Sequence, residues 1–155
     1  MIKKVKPLEK SVIGKPESWL IDTASEVGLD FSVLVHEITD HFKNHVINRH
    51  GDPKKHGAAT ITTNDFDMIP VIIKKPDMAI IGARRWGLFC NVYVKIKDSI
   101  TWLYFDQVLN SKRNRVLRGS TFYKVTRPLA PEDILNKITH NDKTDLEGAK
   151  ILTML

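Results

Sequence analysis

At 155 residues, 42% hydrophobic and 27% charged, the chain has the size and composition of one globular domain able to fold without disulfides or a structural metal. No apolar run approaches the ~18 residues of a membrane span, and the basic start MIKKVKPLEK leads into neither a continuous apolar region nor a small-residue cleavage site, which argues against a membrane role and a secretory signal. Lys and Arg (24) outnumber Asp and Glu (18) for a net charge of +6 and a pI near 9.4, the balance of a protein with a polyanionic partner.

Residues 1–18 carry Lys3, Lys4, Lys6, Lys10 and Lys15 with Pro7, Gly14 and Pro16 and follow neither the helical nor the strand period, so they read as a loosely ordered lead-in. A short helix is expected over 19–27, closed by Gly28. A long helix capped by Asp30 or Ser32 then runs to Gly51-Asp52-Pro53. At ~100° per residue, Phe31, Leu34, Val35, Ile38, Phe42 and Val46 share one apolar stripe of it. His45 projects within that stripe, His41 sits at its edge, and Arg49 and His50 close the helix. Residues 59–62 suit a short edge strand, and 63 onward a brief helical piece that Pro70 limits to its first turn.

Four runs rich in Val, Ile, Tyr, Phe and Trp, at 78–82, 88–96, 100–108 and 116–125, are separated by turn residues and read as an antiparallel meander. Within NVYVKIK, Val92, Val94 and Ile96 face one way and Asn91, Tyr93, Lys95 and Lys97 the other. A capped helix near Pro131 and a charge-mixed tail follow. Helices before a run of strands predict an α+β fold, with N-terminal helices packed on one face of a four-stranded or slightly larger antiparallel sheet. The expected organisation is a lead-in over 1–18, a central domain over 19–127, and a short helix with a charged tail over 128–155.

Five of the six histidines lie between His36 and His56, and their chemistry has three readings. Spaced i, i+4, His41 and His45 could share a zinc ion if His50, His56 or Asp52 supplied a third ligand; satisfied core and surface imidazoles are the plainer reading. Proton transfer near neutral pH is the third, since imidazole is the side chain best matched to it. Basic residues concentrate in the second half, among them Arg84, Arg85, Lys95, Arg118, Lys124 and Arg127, which favours a nucleic-acid partner. Arg84-Arg85-Trp86-Gly87 makes a turn able to hold phosphate and stack a base on Trp86, or simply a solvated hairpin tip. In the last strand Thr121 and Tyr123 share one face, as catalytic hydroxyls or as ordinary strand formers. The single Cys90, in an apolar run, reads as a buried thiol of a reducing compartment such as the cytoplasm. No Gly-rich phosphate loop, GxSxG elbow or CxxC pair is present, so Rossmann, P-loop and hydrolase readings lack support.

In order and spacing, HVINRHGD (45–52), DFDMIPVIIKKPD (65–77) and GSTFYK (119–124) resemble the phage-associated Barnase, EndoU, colicin E5/D and RelE-like (BECR-fold) nucleases, over roughly 33–126. The resemblance implies a ribonuclease fold of helices followed by a four-stranded antiparallel sheet, working without a metal or other cofactor. It places a helical His and a following His-Gly turn at His45 and His50, and strand hydroxyls at Thr121 and Tyr123. The expected function is a metal-independent endoribonuclease, a toxin or phage effector acting on tRNA or other structured RNA, with an immunity or inhibitor protein as a further partner. His50 and His45 would exchange the protons, with an inflection near pH 6–7, while Arg84, Arg85, Lys95 and Lys124 hold the phosphates. A basic nucleic-acid-binding module that cleaves nothing is the alternative, and a metal hydrolase built on His41 and His45 the third.

Overall fold

The computed structural model describes residues 10–153; the first nine residues of the expected lead-in, and the last two of the tail, lie outside the described residues. The meander is its centre: β3 (Met78–Arg85), β4 (Leu88–Lys97), β5 (Ile100–Asn110) and β6 (Arg115–Val125) pair antiparallel in sequence order. Three further strands widen the expected four to seven. They are β1 (Lys10–Gly14), β2 (Val35–Thr39) and β7 (Lys150–Thr153), in the order β1-β2-β6-β5-β4-β3-β7. β1 comes from the lead-in segment and β7 from the tail. Only β2 and β6 run parallel.

Alternation along the meander buries both faces of the sheet. One side carries Val92, Val94, Leu103 and Phe105, under Leu129, Ile134 and Ile138 from α5 (Pro131–Asn136) and the π-turn after it. The other carries Tyr93, Trp102, Tyr104 and Phe122, under α1 (Ser18–Glu26), α2 (Asp40–His50) and α4 (Met68–Lys74), the one-turn α3 (Pro53–His56) lying between the last two in the chain. Helices therefore cover both faces rather than one. Polar residues read as outward-facing end inside on the second side, and they satisfy one another: the fully buried Asp106 accepts from Asn91 Nδ2 and Tyr93 Oη, both at 2.7 Å. Among the described residues no helix is long and apolar enough to cross a membrane.

The long helix expected from residue 30 onward is corrected at its first half. Residues 35–39 form β2, paired with β6 through Val35↔Val116 and Glu37↔Arg118. Of the expected stripe, Phe31, Leu34, Ile38, Phe42 and Val46 are buried and Val35 is half-buried. Spacing of that kind is also met by a buried strand leading into a helix, and the β-branched Val35, Ile38 and Thr39 suit the strand. With the helix beginning only at Asp40, Thr39 becomes its cap, its hydroxyl accepting from Phe42 N at 3.0 Å. The phase of the stripe changes with it, so His45, one residue or ~100° from the buried Val46, is exposed rather than buried.

The other local corrections have local causes. Residues 59–62 do not pair as a strand; a 3-10 turn at Gly57–Ala59 leads to Ile61, whose N–H satisfies the His50 carbonyl at 2.8 Å. α4 continues beyond Pro70, because the proline is its third residue, where no helical hydrogen bond needs a backbone donor.

What positions the site is the point where β2 stops. From Gly119 onward β6 has no strand on its outer side among the described residues, and α2 lies along it instead, with Phe42 wedged between Phe66 and Tyr104 at 6.0 Å ring separations. Gly119 leaves room for side chains of the neighbouring strands: a Cβ there would meet Tyr104 Oη of β5 at 2.7 Å and Ile38 Cγ2 of β2 at 3.3 Å. Replacing Phe42 by Ala should cost about 3–5 kcal/mol, the usual price of a large aromatic cavity; a shift in the urea midpoint corresponding to less than ~1 kcal/mol would show that α2 does not depend on this wedge.

Candidate active site

α2 delivers its last turn to the open edge of β6, and a cleft forms there. It is lined by His45, Arg49 and His50 from α2, Arg85 and Trp86 from the β3–β4 hairpin, Thr121 from β6, and Asn141, Asp142 and Lys143 from the segment after α5. His50 is half-buried, its ring 5.5 Å from that of Tyr123 and 5.6 Å from that of His56. His56 is itself held by donating Nε2–H to the Arg49 carbonyl at 2.8 Å.

Arg85 is buried, unlike an ordinary hairpin-tip arginine. Its Nη1 donates to Thr121 Oγ1 at 2.8 Å, and its guanidinium lies 3.9 Å from the Trp86 ring centroid and 5.0 Å from that of Phe105. Its Nε has no hydrogen-bond partner among the described residues. A buried donor left unmatched is costly, so the fold holds this guanidinium in place at the expense of one hydrogen bond. Tyr123 directs its proton to Asp142 Oδ2 at 2.6 Å.

Electrostatics act on two of the cleft's imidazoles. Burial, and then the positive charges of His56, Arg49, His45 and Lys137, hold the His50 pKa down at about 4. The partial negative charge of the helix C-terminus works the other way and loses. His45 is lowered as well, by partial burial and then by Arg49, His41 and Arg85. At neutral pH His50 is thus an uncharged imidazole among cations, able to accept a proton. Burial raises Asp142 while the Tyr123 hydrogen bond, Arg85, Lys137 and Arg49 pull it down, and burial with Asp142 beside it pushes the Tyr123 phenol well up. An inflection near pH 6–7 at His50 is therefore corrected downward.

The fold brings together His45, His50, Arg85 and Thr121, with Tyr123 and Lys124 bordering an adjoining pocket shared with His50 and Asp142. Lys124 is tied to Asp65 at 3.1 Å. Two residues expected at the site stand elsewhere. Arg84 points away from the cleft, over the Phe89 ring at 4.5 Å, while its backbone pairs with Asp145. Lys95 lies seven residues up β4 from Leu88, about 23 Å at strand rise, and donates to the Lys75 carbonyl at 2.9 Å. Asp142, Asn141 and Lys143 went unseen in the sequence, where ITHNDK carries no signal beyond mixed charge. Among the described residues no three His, Cys, Asp or Glu side chains converge as a metal would require, so His41 and His45 have no third ligand beside them.

Imidazole, guanidinium and hydroxyl groups gathered at one sheet edge are the equipment of a small nuclease of α+β fold. The chain matches, over residues 14–130, the model of the family described as phage-Barnase-EndoU-ColicinE5/D-RelE like nuclease 3, and it belongs to that family. Neither a curated protein nor a solved structure matches it. Asp142 and its neighbours lie beyond the matched residues.

Acid should expose these charge states. His36 and His50, both held at about 4 against an ordinary 6.5, leave the folded state with fewer bound protons than the unfolded chain between those values, so stability falls as pH drops from 6.5 toward 4. Asp106, raised by burial to about 7, is protonated in the fold where the unfolded carboxyl is ionised, and opposes this over roughly pH 4–7. His45 is lowered too and Asp142 raised, so three imidazoles stand against two carboxyls; the urea midpoint should decline from pH 6.5 to 4.5, and NMR titration should place His50 well below 6. A His50 inflection at 6.5 would contradict the burial argument.

Proposed function

We propose that this nuclease-family protein is an endoribonuclease that cleaves RNA through its own 2′-hydroxyl, using side chains rather than a metal. The observation that carries the reading is that the neutral imidazole of His50 and the guanidinium-bearing side chain of Arg85 line the same cleft.

A phosphate seats against Arg85, which Thr121 holds by accepting from Nη1. His50 takes the proton of the adjacent 2′-hydroxyl as its oxygen bonds to phosphorus. The bond from phosphorus to the 5′-oxygen breaks, and that oxygen leaves with a proton from His45 in its imidazolium form. The products are a 2′,3′-cyclic phosphate and a 5′-hydroxyl. Charge growing on the non-bridging oxygens meets Arg85, with Arg49 and Lys143 at the rim. Tyr123, committed to Asp142, acts by packing beside His50 and steadying its ring.

RNA incubated with the protein in excess chelator should be cut to cyclic-phosphate ends while DNA of the same sequence stays whole. His50→Ala should lower kcat about 10²- to 10⁴-fold, the worth of one acid–base group. A base held at about 4 and an acid below 6.5 should give kcat/KM a bell-shaped profile with its optimum between those values. Activity lost to chelator and restored by zinc would transfer the chemistry to His41 and His45; salt-dependent RNA binding without turnover would leave a binding module.

A further inference from the structure

Beside the cleft, on the other side of Trp86, lies a second pocket bordered by His41, His45, Trp86, Gln107, Arg118 and Ser120. We infer that this pocket seats an unpaired nucleobase of the nucleic acid whose phosphate lies at Arg85, with the base stacked on Trp86 and its edge read by Gln107. The inference rests on the reading of the cleft as a phosphate site, and adds a substrate class to it: unpaired rather than duplex nucleotides.

Trp86 is the first observation. Arg85 and Leu88 pair directly, so Trp86-Gly87 is a two-residue hairpin loop, and both residues are left-handed, at φ 53° and 77°. That is the requirement of a type I′ turn, where Asn or Gly is favoured first because a side chain at positive φ is strained. A tryptophan placed there is 62% exposed, so core burial does not compensate for the strain. Strained, exposed aromatics of this kind belong to functional surfaces. Arg85 stacks on the indole at 3.9 Å and borders only the cleft, while the indole borders both pockets. The rest of the ring is thus presented to the second pocket on a rigid support.

The walls supply the second observation. Arg118 is held by Glu37, donating Nε–H at 2.8 Å, and the Ser120 hydroxyl leans on the Phe105 carbonyl at 3.3 Å. The half-buried Gln107 amide has no hydrogen-bond partner among the described residues. It offers a donor beside an acceptor, the pairing that reads a base edge. A base inside a duplex has spent both its faces and its pairing edge; one in a loop, bulge or end has not. Because His45 and Trp86 border both pockets, a nucleotide lying across them puts its base in one and its phosphate in the other.

The test uses Trp86→Asn, a residue that the turn prefers, with uncleavable 2′-O-methyl oligonucleotides as probes. Thermal midpoint should rise, since turn strain is relieved. Affinity for a single strand should fall between about 5- and 150-fold, the worth of one base–aromatic stack, while affinity for a duplex of the same sequence changes less than about twofold. Trp86→Tyr should recover most of the loss, and Gln107→Ala should alter the preference among single strands differing in one base. Equal losses on single strand and duplex, or no loss, would overturn the inference. A protein that binds single strands through Trp86 yet cuts no RNA would refute the ribonuclease reading alone, and normal cleavage and binding by Trp86→Asn would refute the base pocket alone.

Discussion

The outer edge of β6 is the constraint on which the rest of this structure depends. β2 pairs with it only as far as Glu37↔Arg118, and beyond that the backbone edge must be covered, since an open strand invites other chains to pair. α2 covers it, with Phe42 and Val46 turned inward. The same packing carries His45 and His50 to the end of the sheet where Arg85 and Thr121 meet. Cover for an edge and construction of a cleft are one event.

Burial then does chemical work. His50 stands in a last helical turn, where the backbone dipole favours a charged imidazole, yet desolvation and four neighbouring positive groups leave it neutral. Arg85 is opposed by the same desolvation and supported by Asp142. The site is thus a balance in which one carboxylate from the C-terminal segment tempers a cluster of cations.

Stability is held by the two-sided sheet, not by the site. Aromatic contacts link Phe42, Phe66, Tyr104 and Phe122 beneath the helices, and Leu129, Ile134 and Ile138 close the opposite face. One polar cluster interrupts this core, around Asp106, with both ring nitrogens of the nearby buried His36 unmatched among the described residues. It gives the core its own sensitivity to pH, separate from that of the cleft.

Much of this was written in local pattern. The meander was legible because alternation and turn residues act within a few positions, and the burial of Phe31, Leu34, Ile38, Phe42 and Val46 was legible from spacing alone. His50 and Thr121 could be named because the motif segments around them resemble a nuclease family. What sequence could not decide was whether 35–39 would coil or extend, because the answer lay in a partner strand some eighty residues away. For the same reason Arg84 and Lys95 looked equal to Arg85: all three are cations on strands, and only the pairing register sends one guanidinium to Thr121 and the other two side chains elsewhere. Asp142 was invisible until the chain folded back, since a carboxylate becomes part of a site through the charges brought around it, and beside the nearby Lys137 those come from α2 and β3.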